Sequence, residues 1–262
     1  MSEATIFAIP QALRVVVTAG AQGIGRAIAE TFHAHGARVH ICDVSAEAVD
    51  ACRTALPEIS AAVADVADVS QVDDFFAAAL ADLGGLDVLV NNAGIAGPTA
   101  GVEAIEPADW ERTVAVNLNG QFYCARRAVP ALRESAHGAM INISSVAGRL
   151  GFAYRTPYAA TKWAVVGFTQ SLAKELGPDG IRVNAILPGV VEGERIEQVI
   201  AARAETLGKS YAEVERDNLS KVSLRRMVSP YDVANMALFL CSPAGQNISG
   251  QALSVCGNVE TI

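Results

Sequence analysis

The sequence predicts an α/β fold in which one parallel sheet is covered by helices on both faces. Short β-branched runs, apolar almost throughout, alternate with longer amphipathic stretches from end to end. Strands apolar on both sides belong to sheets covered on both sides. The first such run also passes straight into a glycine-rich turn and a helical pattern.

Taken in order, the first strand is Leu13–Thr18, leading through the glycines into a helix over Gly25–His35. Arg38–Asp43 is the second strand and Ala46–Leu56 its helix, with Ser45 placed to cap it. The third strand, Ile59–Ala64, precedes a helix over Val69–Leu83. Leu86–Asn91 is followed by the long amphipathic stretch Pro107–Arg133. Ala139–Ser144 leads to Pro157–Leu176, Ile181–Leu187 is the sixth strand, and Pro230–Leu240 precedes the last strand, Gln251–Val255. There is no internal repeat or linker, so one domain over residues 1–262 is expected. One segment breaks the rhythm. After Pro188-Gly189, residues 190–222 are charged and without a strand, a long insertion at the strand C-terminal edge. A lid over a ligand crevice belongs there.

Composition narrows the function. The net charge is −8 and basic residues cluster no further than pairs such as Arg126–Arg127, which argues against a nucleic-acid surface. No apolar run reaches a membrane span, and the N-terminus lacks the basic-then-apolar order of a secretory signal. Cys42, Cys52, Cys124, Cys241 and Cys256 are odd in number and without CxxC spacing, which reads as reduced thiols of a cytoplasmic protein. The histidines show no metal-ligand spacing, and no metal is expected.

The run TAGAQGIGRAIAE after the first strand is built to receive an anion. Gly20, Gly23 and Gly25, with Gln22 and Ile24 between them, let the chain turn tightly and aim helix amides at a pyrophosphate. Asp43, eighteen residues past Gly25, ends the second strand. A carboxylate there bonds adenosine ribose hydroxyls and repels a 2′-phosphate, favouring NAD over NADP. Tyr158 and Lys162 lie four apart, on one helical face. A lysine ammonium beside a phenol favours the phenolate, making Tyr-x-x-x-Lys a workable acid/base pair.

These motifs closely resemble those of the short-chain dehydrogenase/reductase family over nearly the whole chain. They are Thr18–Gly25, the NNAG run Asn91–Gly94, Asn117, Ile143–Ser145, Tyr158 with Lys162, and Pro188-Gly189. The resemblance implies a single Rossmann-type domain with strand order 3-2-1-4-5-6-7. It implies a catalytic group of Asn117, Ser145, Tyr158 and Lys162, Ser145 being chosen because it lies thirteen residues before Tyr158. Tyr154, with no lysine four residues on, is excluded. In the implied roles Tyr158 takes the proton of an alcohol, Ser145 holds the same oxygen, Lys162 lowers the phenol pKa and holds the nicotinamide ribose, and Asn117 anchors a water leading to solvent. Asp65 and Val66 match an adenine-contacting pair. Asn92, Ala93 and Gly94 lie beside the cofactor, with Asn91 mainly structural, and Pro188, Gly189 and Val191 complete the cofactor group. A small-molecule alcohol or ketone and a homotetramer joined through Pro107–Arg133 and Pro157–Leu176 are further implications.

Three positions depart from the family pattern. Ala19 stands where glycine is usual, Gly193 stands where a threonine often contacts the carboxamide, and Cys256 stands where an aspartate is common. Arg149, Arg155, Arg195 and Arg203 fall in the pocket-lining stretches. They could select an anionic hydroxy compound or sugar derivative, but surface pairing with nearby glutamates is the preferred reading. The competing functions are an NADP-dependent reductase of the 3-oxoacyl type and a catalytically silent dinucleotide-binding regulator. Asp43 speaks against the first, and the intact tetrad against the second.

Overall fold

The computed structural model describes residues 6–259; the two ends of the expected 1–262 domain, and the first residues of the stretch read for a secretory signal, lie outside them. Seven parallel strands form one sheet in the order β3-β2-β1-β4-β5-β6-β7. These are β1 Arg14–Thr18, β2 Arg38–Asp43, β3 Ser60–Val63, β4 Val88–Asn91, β5 Ala139–Ile143, β6 Arg182–Pro188 and β7 Ala252–Val255. Helices α1 (Gly23–Ala34), α2 (Ala46–Ala55) and α3 (Val69–Leu83) link the first four strands. The expected strands and most of the expected helices end within two residues of the observed ones.

Side-chain alternation along the strands builds two cores. Val15, Val17, Val88, Val90 and Ile141 face one side, against Ile28 and Phe32 of α1 and Val233 and Ala237 of α9 (Pro230–Cys241). Val16, Leu89 and Met140 face the other, against Phe75 and Phe76 of α3. Burying each such side chain is worth about 1.5–3 kcal/mol, which is why the strands are apolar on both faces.

The expected helix over Pro107–Arg133 is corrected. It is two helices, α4 (Pro107–Val114) and α5 (Gly120–Arg133), joined by a π turn at Ala115–Asn119. The Gly120 N–H bonds back to the Ala115 carbonyl, so the turn takes up one extra residue. The pull comes from outside the helix. Asn117 accepts from the Ile95 N–H at 2.7 Å and donates to the Ile95 carbonyl at 3.1 Å.

Beyond β5 lies α6 (Thr156–Leu176). The 190–222 segment is two helices, α7 (Glu194–Leu207) and α8 (Tyr211–Ser220), packed through their own small cluster of Ile200, Ala204 and Val214. Single β-bridges at Val191–Val228 and Val222–Val259 fasten its ends. No helix among the described residues is long and apolar enough to cross a membrane.

Candidate active site

Strand order reverses between β1 and β4, and a crevice opens where their carboxyl ends diverge. The two ends are laced together. The Thr18 hydroxyl accepts the N–H groups of Asn92 and Ala93, each at 3.0 Å, and the Asn92 amide donates to the Thr18 and Ala19 carbonyls. Thr18 is a site residue whose role the sequence reading missed; its position at the end of β1, facing NNAG across the sheet, was the available signal.

The glycine turn fits a dinucleotide. A Cβ on Gly20 would lie 2.6 Å from the Ile41 Cβ, and one on Gly25 would collide with the Ala19 carbonyl, so side chains are excluded where the backbone must pass. Gly23 has φ +52°, a left-handed geometry suited to glycine. Helix α1 has no side-chain N-cap and no acid in its first turn. Its first amides are left for an external anion. Ala19 takes φ +49°, so the missing family glycine is replaced by an alanine held in a left-handed conformation.

Asp43 ends β2 and is buried, accepting the Ala21 N–H at 3.3 Å and the Ser45 N–H at 3.2 Å. The Ser45 hydroxyl takes the Ala48 N–H and caps α2, leaving Asp43 at the mouth of the crevice. The Asp65 carboxylate is engaged by Arg112 and the Ala67 N–H, and Val66 packs where a Cβ on Gly120 would stand. Near β6, Gly189 lets Cys256 pack against it: a Cβ there would lie 2.7 Å from that of Cys256. The bridge to Val228 uses the Val190 carbonyl and the Glu192 N–H, so the polar backbone of Val191 faces the other way. Asn91 bonds Asn142 across β4 and β5 at 2.9 Å, a strand-to-strand tie.

Ser145, Tyr158 and Lys162 come together at the end of β5. Ser144 turns away, donating to the Lys162 carbonyl at 2.7 Å, while the Ser145 hydroxyl accepts the Ala147 N–H and acts on the Tyr158 phenol. Lys162 is buried and donates from Nζ to the Ile143 carbonyl at 2.9 Å. Burial pushes its ammonium down to about 8, against the favourable Tyr158 and with help from Arg195. Burial pushes the half-buried Tyr158 phenol up, but Lys162, Arg195, Ser145 and Arg155 together outweigh it and hold it below its ordinary value. Asn117 stands beside this group. Its side chain is occupied by Ile95 and by Thr161, to which Nδ2 donates at 3.1 Å. Thr161 in turn holds the Tyr158 carbonyl at 2.8 Å.

The preferred reading of the four arginines is corrected. No ion pair among the described residues involves Arg149, Arg155, Arg195 or Arg203. Arg149 instead fastens the turn after β5 to β7, donating to Ser254 and to the Ala252 carbonyl. Arg155 is buried with its guanidinium carbon 4.8 Å from the Tyr158 ring centre, and Arg195 lies 5.9 Å from the same ring.

The chain is similar to known proteins over most of its length. The family described as enoyl-(acyl carrier protein) reductase matches residues 18–258. Galactitol 2-dehydrogenase of Agrobacterium fabrum is 36% identical over 92% of this chain and 95% of its own length. The 3-oxoacyl-(acyl-carrier-protein) reductase of Thermotoga maritima is 34% identical over 93% and 96%. The crystal structure of a single-substitution variant of actinorhodin polyketide ketoreductase with NADPH superposes with a TM-score of 0.90 at 33% identity, covering 95% of this chain and 98% of that one. The chain belongs to the short-chain dehydrogenase/reductase family and is an oxidoreductase of that family.

Proposed function

We propose that this chain oxidises a secondary alcohol with NAD, or runs the reverse ketone reduction, at Tyr158. The observation that carries the reading is the buried Lys162, whose Nζ lies 5.7 Å from the Tyr158 ring centre, beside a phenol held below its ordinary value. A phenol held ready to ionise is matched to taking an alcohol proton, a contribution typically of about 10²–10⁴-fold. A bound nicotinamide dinucleotide supplies the hydride acceptor. The chain's residues do the rest. Tyr158 receives the hydroxyl proton, and Ser145 holds that oxygen against the phenol. Lys162 stabilises the phenolate, and Asn117 fixes the Ile95 backbone and the first turns of α6 around it. A water anchored by Asn117 toward Lys162 must use its main-chain carbonyl or a remaining side-chain lone pair.

Asp43 supports NAD, since its carboxylate is where an adenosine ribose with a 2′-phosphate would meet negative charge. Asp65, Val66, Asn92, Ala93, Gly94, Pro188, Gly189 and Val191 complete the dinucleotide crevice in this reading, within one domain whose 190–222 helices act as the lid. Exposed Phe122 on α5 and Trp163 on α6, 50% and 52% accessible, fit subunit contacts of a homotetramer.

The reading is tested by a panel of secondary alcohols and polyols with NAD and NADP, followed as reduced dinucleotide, in wild type and Tyr158→Phe. Wild type turns over at least one alcohol faster with NAD, and Tyr158→Phe keeps dinucleotide binding while losing nearly all turnover. Full activity in Tyr158→Phe would falsify the mechanism. A ketone reductase working with NADP is the second reading, favoured by the reductase relatives, and a wild-type preference for NADP selects it.

A further inference from the structure

The rim of the active site carries more positive charge than proton transfer requires, in a chain of net charge −8. Three guanidinium groups and two aromatic rings are strung together there. Arg195 lies 5.9 Å from the Tyr158 ring centre, Arg155 stands 4.8 Å from that ring and 5.2 Å from the Phe152 ring, and Arg203 lies 5.6 Å from Phe152. Arg155 is only 3% exposed. One of its nitrogens donates to the Ala96 carbonyl at 2.7 Å, but its buried Nε has no partner. Glu194 and Glu197 share the first turn of α7 with Arg195, yet both are solvent-exposed and neither forms an ion pair with these arginines.

Arg155 alone of the three is buried, Arg203 being half-buried and Arg195 exposed, and the cost falls on it. Buried charges are ordinarily paired, and a buried donor without an acceptor is unfavourable. The aromatic faces attract each cation but neutralise none of them. The groups also repel one another, and Arg195 and Arg203 both act on Arg155 in that sense. A guanidinium is suited to grip a planar or tetrahedral oxyanion with two parallel bonds.

We infer that Arg155, Arg195 and Arg203 form a subsite for an oxyanion, a carboxylate, sulfonate or phosphate, carried by the same molecule whose hydroxyl meets Tyr158. This rests on the alcohol-dehydrogenase reading and narrows it to small anionic secondary alcohols. Arg155, anchored by Ala96 and locked between two rings, is the fixed element of the subsite. Arg195 and Arg203, two helical turns apart on α7, bring the rest of the charge from the lid.

The test uses matched pairs. These are 3-hydroxybutyrate against its methyl ester, 2-hydroxypropanesulfonate against 1-methoxy-2-propanol, and glycerol 1-phosphate against glycerol 1-methyl ether. Each is assayed with wild type, Arg195→Gln, Arg203→Gln and Arg155→Lys, the last keeping the buried charge so that the fold survives. The anionic member of at least one pair is favoured in kcat/KM, and each Gln variant lowers that anionic-to-neutral ratio by roughly tenfold or more. The pair that responds distinguishes carboxylate, sulfonate and phosphate. A preference for the neutral members overturns the inference. So does a rise in the KM for NAD with an unchanged ratio, which would assign the arginines to the dinucleotide. Calorimetric titration of acetate, methanesulfonate and methyl phosphate into the wild-type and Arg195→Gln proteins with NAD separates the two readings. If no alcohol is oxidised with either dinucleotide, the dehydrogenase reading fails. Anion binding weakened by Arg195→Gln then still upholds the subsite, and no binding to wild type ends it.

Discussion

Gly94 and Lys162 stand so close that a Cβ on Gly94 would lie 3.3 Å from the lysine Nζ and 3.2 Å from Asn117 Oδ1. The fourth strand's exit and the buried Lys162 therefore share one small space. Gly94→Ala should leave the melting temperature within a few degrees of wild type, because the neighbours need yield only tenths of an ångström. Turnover should fall about tenfold or more, since small misplacements at a reacting centre are costly. Unchanged kcat would show that the Lys162 ammonium tolerates displacement.

Tyr158 and Lys162 set the pH profile jointly. Alcohol oxidation needs the phenolate, so kcat/KM should rise with pH along a limb centred below 10, where a free phenol titrates. Arg195 pushes both groups down. Removing it in Arg195→Gln should move the limb to higher pH. A limb that stays put or moves to lower pH would remove Arg195 from the electrostatics of the site.

Asp43 holds the glycine turn through the Ala21 N–H and the start of α2 through the Ser45 N–H, and in the proposed reading it also faces the dinucleotide ribose. Asp43→Ala should lower the ratio of kcat/KM for NAD over NADP by about tenfold or more, equivalent to ~1.4 kcal/mol. It should also lose some stability, while Asp43→Asn, which keeps an acceptor, loses less. Parallel cofactor kinetics and denaturant curves separate the two effects.

Ala19 occupies φ +49°, a region that costs a non-glycine residue about 1–2 kcal/mol. Glycine relieves that strain but gives back part of the gain through a freer unfolded chain. Ala19→Gly should therefore be neutral to stabilising by about 1 kcal/mol in chemical denaturation. Clear destabilisation would mean that the Ala19 methyl group contributes packing that outweighs the strain.

Asp87 anchors the other end of β1. It accepts from Arg14 through Nε, Nη2 and the main-chain N–H, and from Ser135 at 2.6 Å. Burial pushes its carboxyl up, but these donors win and hold it at about 2. A depressed carboxyl stabilises the fold above its unfolded value, and that stabilisation is lost as pH falls toward about 2. Asp87→Asn should cost about 2 kcal/mol at neutral pH. The gap to wild type should close progressively between roughly pH 4 and pH 2. A gap independent of pH over that range would remove the ion pair as its cause.

Much of this was legible in the sequence because it is local. The turn Thr18–Gly25 lies directly after its strand, and Tyr158 and Lys162 share a face through helix geometry alone. Ser145 is set apart from Ser144 only by the spacing that the family resemblance implies, and the structure turns Ser144 toward the Lys162 carbonyl. The π turn was not legible. It differs from an α-turn by one residue, and the contact that draws it out is with Ile95, more than twenty positions away. Nor was the fate of Arg155, which is anchored to the Ala96 carbonyl 59 positions away. Residues whose environment comes from distant segments read as surface charges until the segments meet.

The lacing of Thr18 to Asn92 joins residues 74 positions apart. Between them lie three helical crossovers, through α1, α2 and α3, and nothing local can hold the crevice floor in shape before β4 docks on β1. Regain of activity after dilution from denaturant should therefore trail the return of helical signal, because closing so long a loop is slow. A chain interrupted mid-way through synthesis, with helices already formed, would have no partial catalysis to offer. The enzyme switches on only when the two halves of its sheet find each other.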